Sequence, residues 1–229
     1  MEKGYGASVS GYRSLKKKKK NQDSYLIKYY RSHLIAVVCD GLGSKKHSKR
    51  ASKKACFVVY KLIKIALDKR HLDTERLIDS IKKRWMKSIK PYTPKTSDTT
   101  CSFVINNNKN ILLAQLGDGM IVISINDKLY MKQEPIKDFT NMTQSLGKSN
   151  NKDWQISVID KLESEHFKIM ICTDGVSEDL YEDKIEDFVN ALSKLIISKK
   201  KNNNRNIKSI LKEWPNKHNL DDKTIVMVK

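Results

Sequence analysis

Three short segments of this 229-residue chain each join an apolar run to an aspartate and a glycine. They are AVVC before Asp40-Gly41, LLAQLG before Asp118-Gly119, and IMICT before Asp174-Gly175. A fourth aspartate, Asp221, opens the Asp221-Asp222-Lys223-Thr224 stretch that enters a terminal apolar run. Buried strands converge inside a sheet, so carboxylates at their ends can meet. Crowded carboxylates repel, and without partners some must keep a proton. A hard divalent cation resolves the conflict, because magnesium and manganese prefer carboxylate, carbonyl and water oxygens. The glycine after each aspartate lets the backbone approach closely, so a carbonyl can join the ligand set. A plain turn is the alternative for any one of these dipeptides, above all for Asp118-Gly119 between two strand-like runs. Asp40-Gly41 differs in preceding a helical pattern. Asp174-Gly175 differs in preceding an acid-rich segment and then a helix.

The elements that must position these residues are read from periodicity. Residues 25–30 and 34–39 form two strands around a turn at Arg31, Ser32 and His33. From Ser44 to Leu67 apolar residues recur at 51, 55, 58, 59, 62, 63 and 66, which is helical spacing. A second helix spans Asp73 to Lys90, with Leu77, Ile81, Trp85 and Ile89 on one face and Pro91 and Pro94 beyond its end. Strands follow at 100–105, 111–116, 120–125 and 128–132. The polar stretch 133–155 reads as a loop or flap. Strands resume at 155–160 and 167–172, and a helix at 184–197 turns Ile185, Phe188, Val189, Leu192 and Ile196 inward. A short helix carries Ile207, Ile210, Leu211 and Trp214, and the chain ends on a strand. Strands in hairpin succession, with helices early and late, imply sheets covered by helices rather than alternating βαβ units.

Composition bounds the alternatives. The length suits a single domain over 1–229. Apolar residues make up 39% of the chain, enough for a core, and no apolar run is long enough to span a membrane. The N-terminal MEKGYGASVSGYR lacks a secretory signal core. Cys39, Cys56, Cys101 and Cys172 sit apart among apolar residues, as buried thiols in a reducing compartment would. A cytoplasmic location follows. The net charge of +19 is compatible with nucleic acid, an anionic membrane surface, or an acidic or phosphorylated substrate. Lysine supplies most of it, and lysine is also an ordinary solvated surface residue. Aromatic residues do not alternate with the basic runs, so nucleic acid is disfavoured.

Six segments in order, NQDS (21–24), VVCDGLGS (37–44), DTTCSFVI (98–105), AQLGDG (114–119), ICTDGVSEDL (171–180) and DDKT (221–224), resemble the type-2C metal-dependent protein phosphatase family. The short chain and its GDG variant look closest to bacterial members. The resemblance implies an α/β (α+β) fold, a four-layer αββα sandwich of two antiparallel sheets flanked by helices. It implies that Asp40 bridges two manganese or magnesium ions, that the Gly41 carbonyl helps bind one, and that Asp174 and Asp221 hold the other. Asp23 would orient water from outside the ligand set. Asp118 would hold a third, weaker ion, with Glu178 as a second candidate ligand or else a helix-cap carboxylate. The implied reaction is hydrolysis of phosphoserine or phosphothreonine by a water bridging the two ions, with no phosphoenzyme. A phosphorylated protein would be the substrate and a Ser/Thr kinase the opposing activity.

The chain departs from its family in two places. Leu42 stands where some members carry histidine after Asp-Gly, and the nearby His47 reads as a helix-surface residue. Members commonly place an arginine five residues before the position of Asp23, which here is Lys18 inside the lysine run 16–20. Either Lys18 grips phosphate as a point charge, or Arg13 reaches the site with its bidentate fork, the arrangement we favour. Thr99 and Thr100 match a family motif but read equally as ordinary strand formers. The runner-up function is a catalytically weak or inactive relative that binds phosphoproteins. Retention of every expected aspartate argues for the enzyme.

Overall fold

Apolar runs become strands here because both faces of each sheet are covered. The computed structural model describes residues 3–107, 109–133, 143–160, 166–198, 202–215 and 219–229. One sheet is ordered β1 (Gly4–Val9), β10 (Lys223–Val228), β9 (Phe167–Cys172), β6 (Met120–Ile125) and β7 (Lys128–Gln133). The other is ordered β2 (Ser24–Tyr30), β3 (His33–Cys39), β4 (Cys101–Asn106), β5 (Asn110–Leu116) and β8 (Gln155–Asp160). All pairings are antiparallel. The helices are α1 (Tyr12–Lys16), α2 (Ser48–Asp68), α3 (Thr74–Ile89), α4 (Asp174–Ser177), α5 (Ile185–Ser198) and α6 (Asn203–Lys212).

The two-residue period of a strand explains the layering. On β3, Leu34, Ala36 and Val38 point to the seam between the sheets, while Ile35, Val37 and Cys39 point to the layer of α2 and α3. On β9, Ile169 and Ile171 face the seam, and Met170 and Cys172 face α5 and α6. The result is the four-layer αββα sandwich. Asp73 caps α3 by accepting from the Arg76 N–H at 3.0 Å. Trp85 is fully buried, and its Nε1 donates to the Ala51 carbonyl of α2 at 3.1 Å, clasping the two helices. Truncating such a tryptophan to alanine costs about 3–5 kcal/mol. All four cysteines are buried free thiols.

Three features differ from the expectations. Strand β1 and helix α1 were not anticipated. Helix α2 starts at Ser48, with His47 as its N-cap, and Ser44 lies in the loop before it. Of the flap-like stretch, 134–142 lies outside the described residues. Its far end closes in a short turn, Asn151–Asp153, held by a reciprocal Asn150–Asp153 capping box.

Candidate metal centre

Strand register gathers the aspartates at one end of the sandwich. Ser24 pairs with Cys39, which sets Asp23 beside Asp40. Met120 pairs with Cys172, which sets the Asp118 turn beside Asp174. Ile225 also pairs with Cys172, so the residues before β10 reach the same end. Asp40, Asp118 and Asp174 each offer a carboxylate oxygen, and these oxygens lie within 4.8 Å of one another. Gly41 packs so closely that a Cβ there would sit 2.7 Å from the carbonyl oxygens of Gln22 and Ser48. Gly117 adopts φ +110°, a left-handed value glycine tolerates, and turns the chain into Asp118.

The backbone of Asp40 is fixed by the two threonines after Asp98. Its N–H donates to Thr100 Oγ1 at 2.9 Å, and its carbonyl accepts from Thr99 Oγ1 at 2.6 Å and Thr100 N at 2.8 Å. Buried Asp98 accepts from Thr99 N, Ser145 Oγ and Gly147 N at 2.8–2.9 Å. Asp23 Oδ2 accepts from Thr173 Oγ1 at 3.0 Å and Thr224 Oγ1 at 2.7 Å. Asp118 Oδ2 accepts from Thr143 Oγ1 at 2.7 Å.

These carboxyls cannot all hold charge alone. Burial raises Asp40 well above the ordinary carboxylate range, and the charges of Asp23 and Asp174 add to it. Burial and the neighbouring Asp118 push Asp174 up to about 7. Burial and Asp222 raise Asp23 to about 6 against the hydrogen bonds it accepts. Asp118 is raised chiefly by burial. Asp23 Oδ1 and Asp118 Oδ1 are buried with no hydrogen-bond partner among the described residues. Orphaned oxygens and raised carboxyls, all of them hard donors, fit one or more divalent cations.

Asp221 lines the same cleft but is turned to Arg13, whose Nη1 donates to its two oxygens at 2.7 and 3.0 Å. It stands outside the three-carboxylate group. Its neighbour Asp222 also lines the cleft but is buried, and it accepts from Gly11 N at 2.9 Å and Gln22 N at 2.6 Å. Asn219 shapes this loop by accepting from Asp221 N at 2.7 Å and donating to Glu178 at 2.6 Å. Glu178 is exposed and does not line the cleft. Lys223 is fully buried, and its Nζ donates to the carbonyls of Asn219 at 2.9 Å and Asp221 at 3.2 Å. Burial lowers its pKa, against the pull of the nearby aspartates.

The cleft has a volume of about 530 Å³, and Arg13, Lys17, Lys19 and Lys148 line it together with the aspartates. Lys18 does not line it. Leu42 lines the cleft, while His47 sits at the head of α2, stacked on Tyr92 with ring centroids 3.9 Å apart. The spacing argument missed the roles of Thr99, Thr100, Asn219, Asp222 and Lys223. The doubled aspartate of DDKT was the available signal, since a second buried acid beside an expected ligand needs donors of its own.

No curated protein matches the chain by sequence. A bacterial serine phosphatase, 15% identical, superposes with TM-score 0.69 over 100% of this chain and 97% of its own. RsbX in complex with magnesium, 17% identical, gives TM-score 0.63 over 99% of this chain and 94% of its own. The photosystem II phosphatase PBCP, 12% identical, gives 0.69 over 100% and 98%. These likenesses show the fold. The family model described as Protein phosphatase 2C matches residues 10–214, and the chain belongs to that family.

Proposed function

We propose that residues 1–229 act as a single domain, a metal-dependent protein phosphatase that hydrolyses phosphoserine or phosphothreonine. The observation that carries this reading is the cluster of Asp40, Asp118 and Asp174 within a cation-lined cleft. Asp40, the Gly41 carbonyl, Asp174 and Asp221 would hold two manganese or magnesium ions, and Asp118 a third, weaker one. When bound, such ions acidify water and neutralise phosphoryl oxygens. Thr99 and Thr100 hold Asp40 by its backbone, so its carboxylate is left to face Asp23 and Asp174. Thr173 and Thr224 donate to one oxygen of Asp23, and the other would orient the attacking water by a hydrogen bond. Arg13 stands at the rim and, with its planar fork, grips phosphate better than Lys18, which does not line the cleft.

The buried thiols support a reducing, cytoplasmic setting, and among the described residues no helix is long and apolar enough to cross a membrane. A Ser/Thr kinase would supply the phosphoprotein. One observation favours a second reading, a non-catalytic module that binds phosphoproteins: Asp221 is engaged by Arg13 rather than grouped with the other three carboxylates. Hydrolysis of a phosphoserine peptide, with manganese and then with EDTA, decides between them. Manganese-dependent release of phosphate is expected. Release that survives EDTA would overturn the metal assignment, and binding of the peptide without release would favour the second reading.

A further inference from the structure

A groove with a volume of about 950 Å³ lies outside the metal cleft, between the first turns of α2 and strand β2. Its basic wall is Lys46, Lys49, Arg50, Lys53 and Lys54. Between Gly41 and Leu67 the sequence carries no aspartate or glutamate. Among the described residues, Lys46, Lys53 and Lys54 have no carboxylate partner. This distribution opposes local physics. A helix N-terminus favours anions, yet the first turn of α2 has no acid, and Lys49 with Lys53 and Arg50 with Lys54 repel at i,i+4 spacing. An anionic occupant would offset both costs.

The groove also adjoins the metal cleft. Gln22 and Ser44 line the cleft, whereas Asn21, Asp23, Lys46 and His47, their near neighbours in the chain, line the groove. The partition is therefore about one chain thick, roughly 10 Å, which an extended peptide crosses in about three residues. The floor is partly apolar, with Tyr25, Leu26 and Phe57. That composition suits peptide side chains better than stacked bases. Lys61 Nζ sits 4.5 Å from the centroid of the Phe57 ring and covers a face, and the Tyr25 hydroxyl is engaged by the Gly6 carbonyl.

We propose that this groove binds an acidic segment of the protein substrate, about three to six residues from the phosphorylated side chain, and so selects substrates; the inference rests on the phosphatase reading above. The test uses a neutral phosphoserine peptide and two acidic versions, with four glutamates starting three residues before or after the phosphoserine. One acidic version should exceed the neutral peptide at least tenfold in kcat/KM at low salt, through KM. The triple variant Lys46→Gln, Lys53→Gln, Lys54→Gln should erase that gain and leave p-nitrophenyl phosphate hydrolysis unchanged, because none of the three lines the cleft. Lys49 is left intact because its Nζ donates to the Asp23 carbonyl at 2.5 Å. The same glutamate peptide without phosphate, labelled with fluorescein, should bind the wild type and not the variant by anisotropy. Acidic peptides no better than the neutral one, or a gain that survives the triple variant, would overturn the proposal. So would a short oligothymidylate that binds through these lysines and is not displaced by the acidic peptide. Failure of the phosphatase reading looks different: no phosphate is released from any substrate with manganese, while the labelled peptide still separates wild type from variant.

Discussion

The carboxylates gathered at one end of the sandwich are held in two contrasting ways. Asp40 follows β3 directly and Asp174 follows β9 after Thr173, so sheet register brings them together, and burial leaves them short of compensating charge. Asp221 belongs to a loop built from side chains, with Asn219 and Lys223 beneath it and Arg13 neutralising it at the surface. The first pair is buried and electrostatically frustrated, and the third is paired and partly exposed. On the proposed reading, a cation would relieve most repulsion at the strand-end pair, and Asp221 would adjust its occupancy. Each variant below tests one side of that contrast.

The largest effect is expected at Asp40. Asp40→Asn keeps the side chain's shape and removes one repelling charge. Turnover of a phosphopeptide should fall about 1000-fold or more, equivalent to ~4 kcal/mol of barrier. The melting temperature of the metal-free protein should stay level or rise, because a frustrated charge is gone. Lower stability with activity retained would show that Asp40 is structural.

Acidity provides the next test. Asp174 at about 7 and Asp23 at about 6 lie above the ordinary carboxylate value near 4 of the unfolded chain. Between those values the native metal-free protein holds more protons than the unfolded one. Stability is thus greatest below the window and falls as pH rises through it. Urea unfolding should show a loss on the order of 2 kcal/mol between pH 5 and 7.5, after screening by cleft water. Saturating manganese should cancel the slope, and Asp174→Asn should reduce it. An equal slope in that variant would place the titration elsewhere.

The same contrast explains what was legible in the sequence. Positions set by register follow from apolar runs, so the Asp-Gly strand ends, both long helices and the core role of Trp85 could be read directly. Strand β1 escaped because its pattern is GYGASV, and glycine reads as turn. Its glycines serve close approach instead, since a Cβ on Gly6 would lie 2.9 Å from the Tyr25 ring and one on Gly4 2.7 Å from Ile27. Helix α1 has five residues and no side-chain cap, too short for a periodic signal. Thr99 and Thr100 were hidden because a strand-forming threonine and one that bonds Asp40 look alike in sequence. The loop at 219–223 depends on contacts with residues some two hundred positions away, such as Gly11 and Gln22, which local pattern cannot report.

A moderate effect is expected beneath that loop. Lys223→Met removes the buried ammonium and leaves two carbonyls without their donor. Chemical denaturation should show a loss of about 1–3 kcal/mol. Manganese affinity by calorimetry should weaken while Asp40 and Asp174 keep their positions, and Lys223→Arg should recover part of both. Unchanged metal affinity despite lower stability would mean that Asp221 is positioned by Asn219 alone.

The smallest change in stability is expected at the surface, where Arg13 meets Asp221. The two side chains are 55% and 35% exposed, and an ion pair so exposed contributes about 0–1 kcal/mol. Arg13→Ala should therefore leave unfolding nearly unchanged. Its effect on substrate should be larger, because the guanidinium stands in the cleft and can present two donors to a phosphate. KM for a phosphopeptide should rise at least tenfold, or ~1.4 kcal/mol. Lys18→Ala should be silent, since Lys18 does not line the cleft. Neutralising the lysines of 16–20 together should weaken binding mainly at low salt, as screened steering charges do. A silent Arg13→Ala with a crippling Lys18→Ala at every ionic strength would reverse the assignment. Lys18, just beyond α1, would then have to turn into the cleft in place of Arg13 when substrate binds.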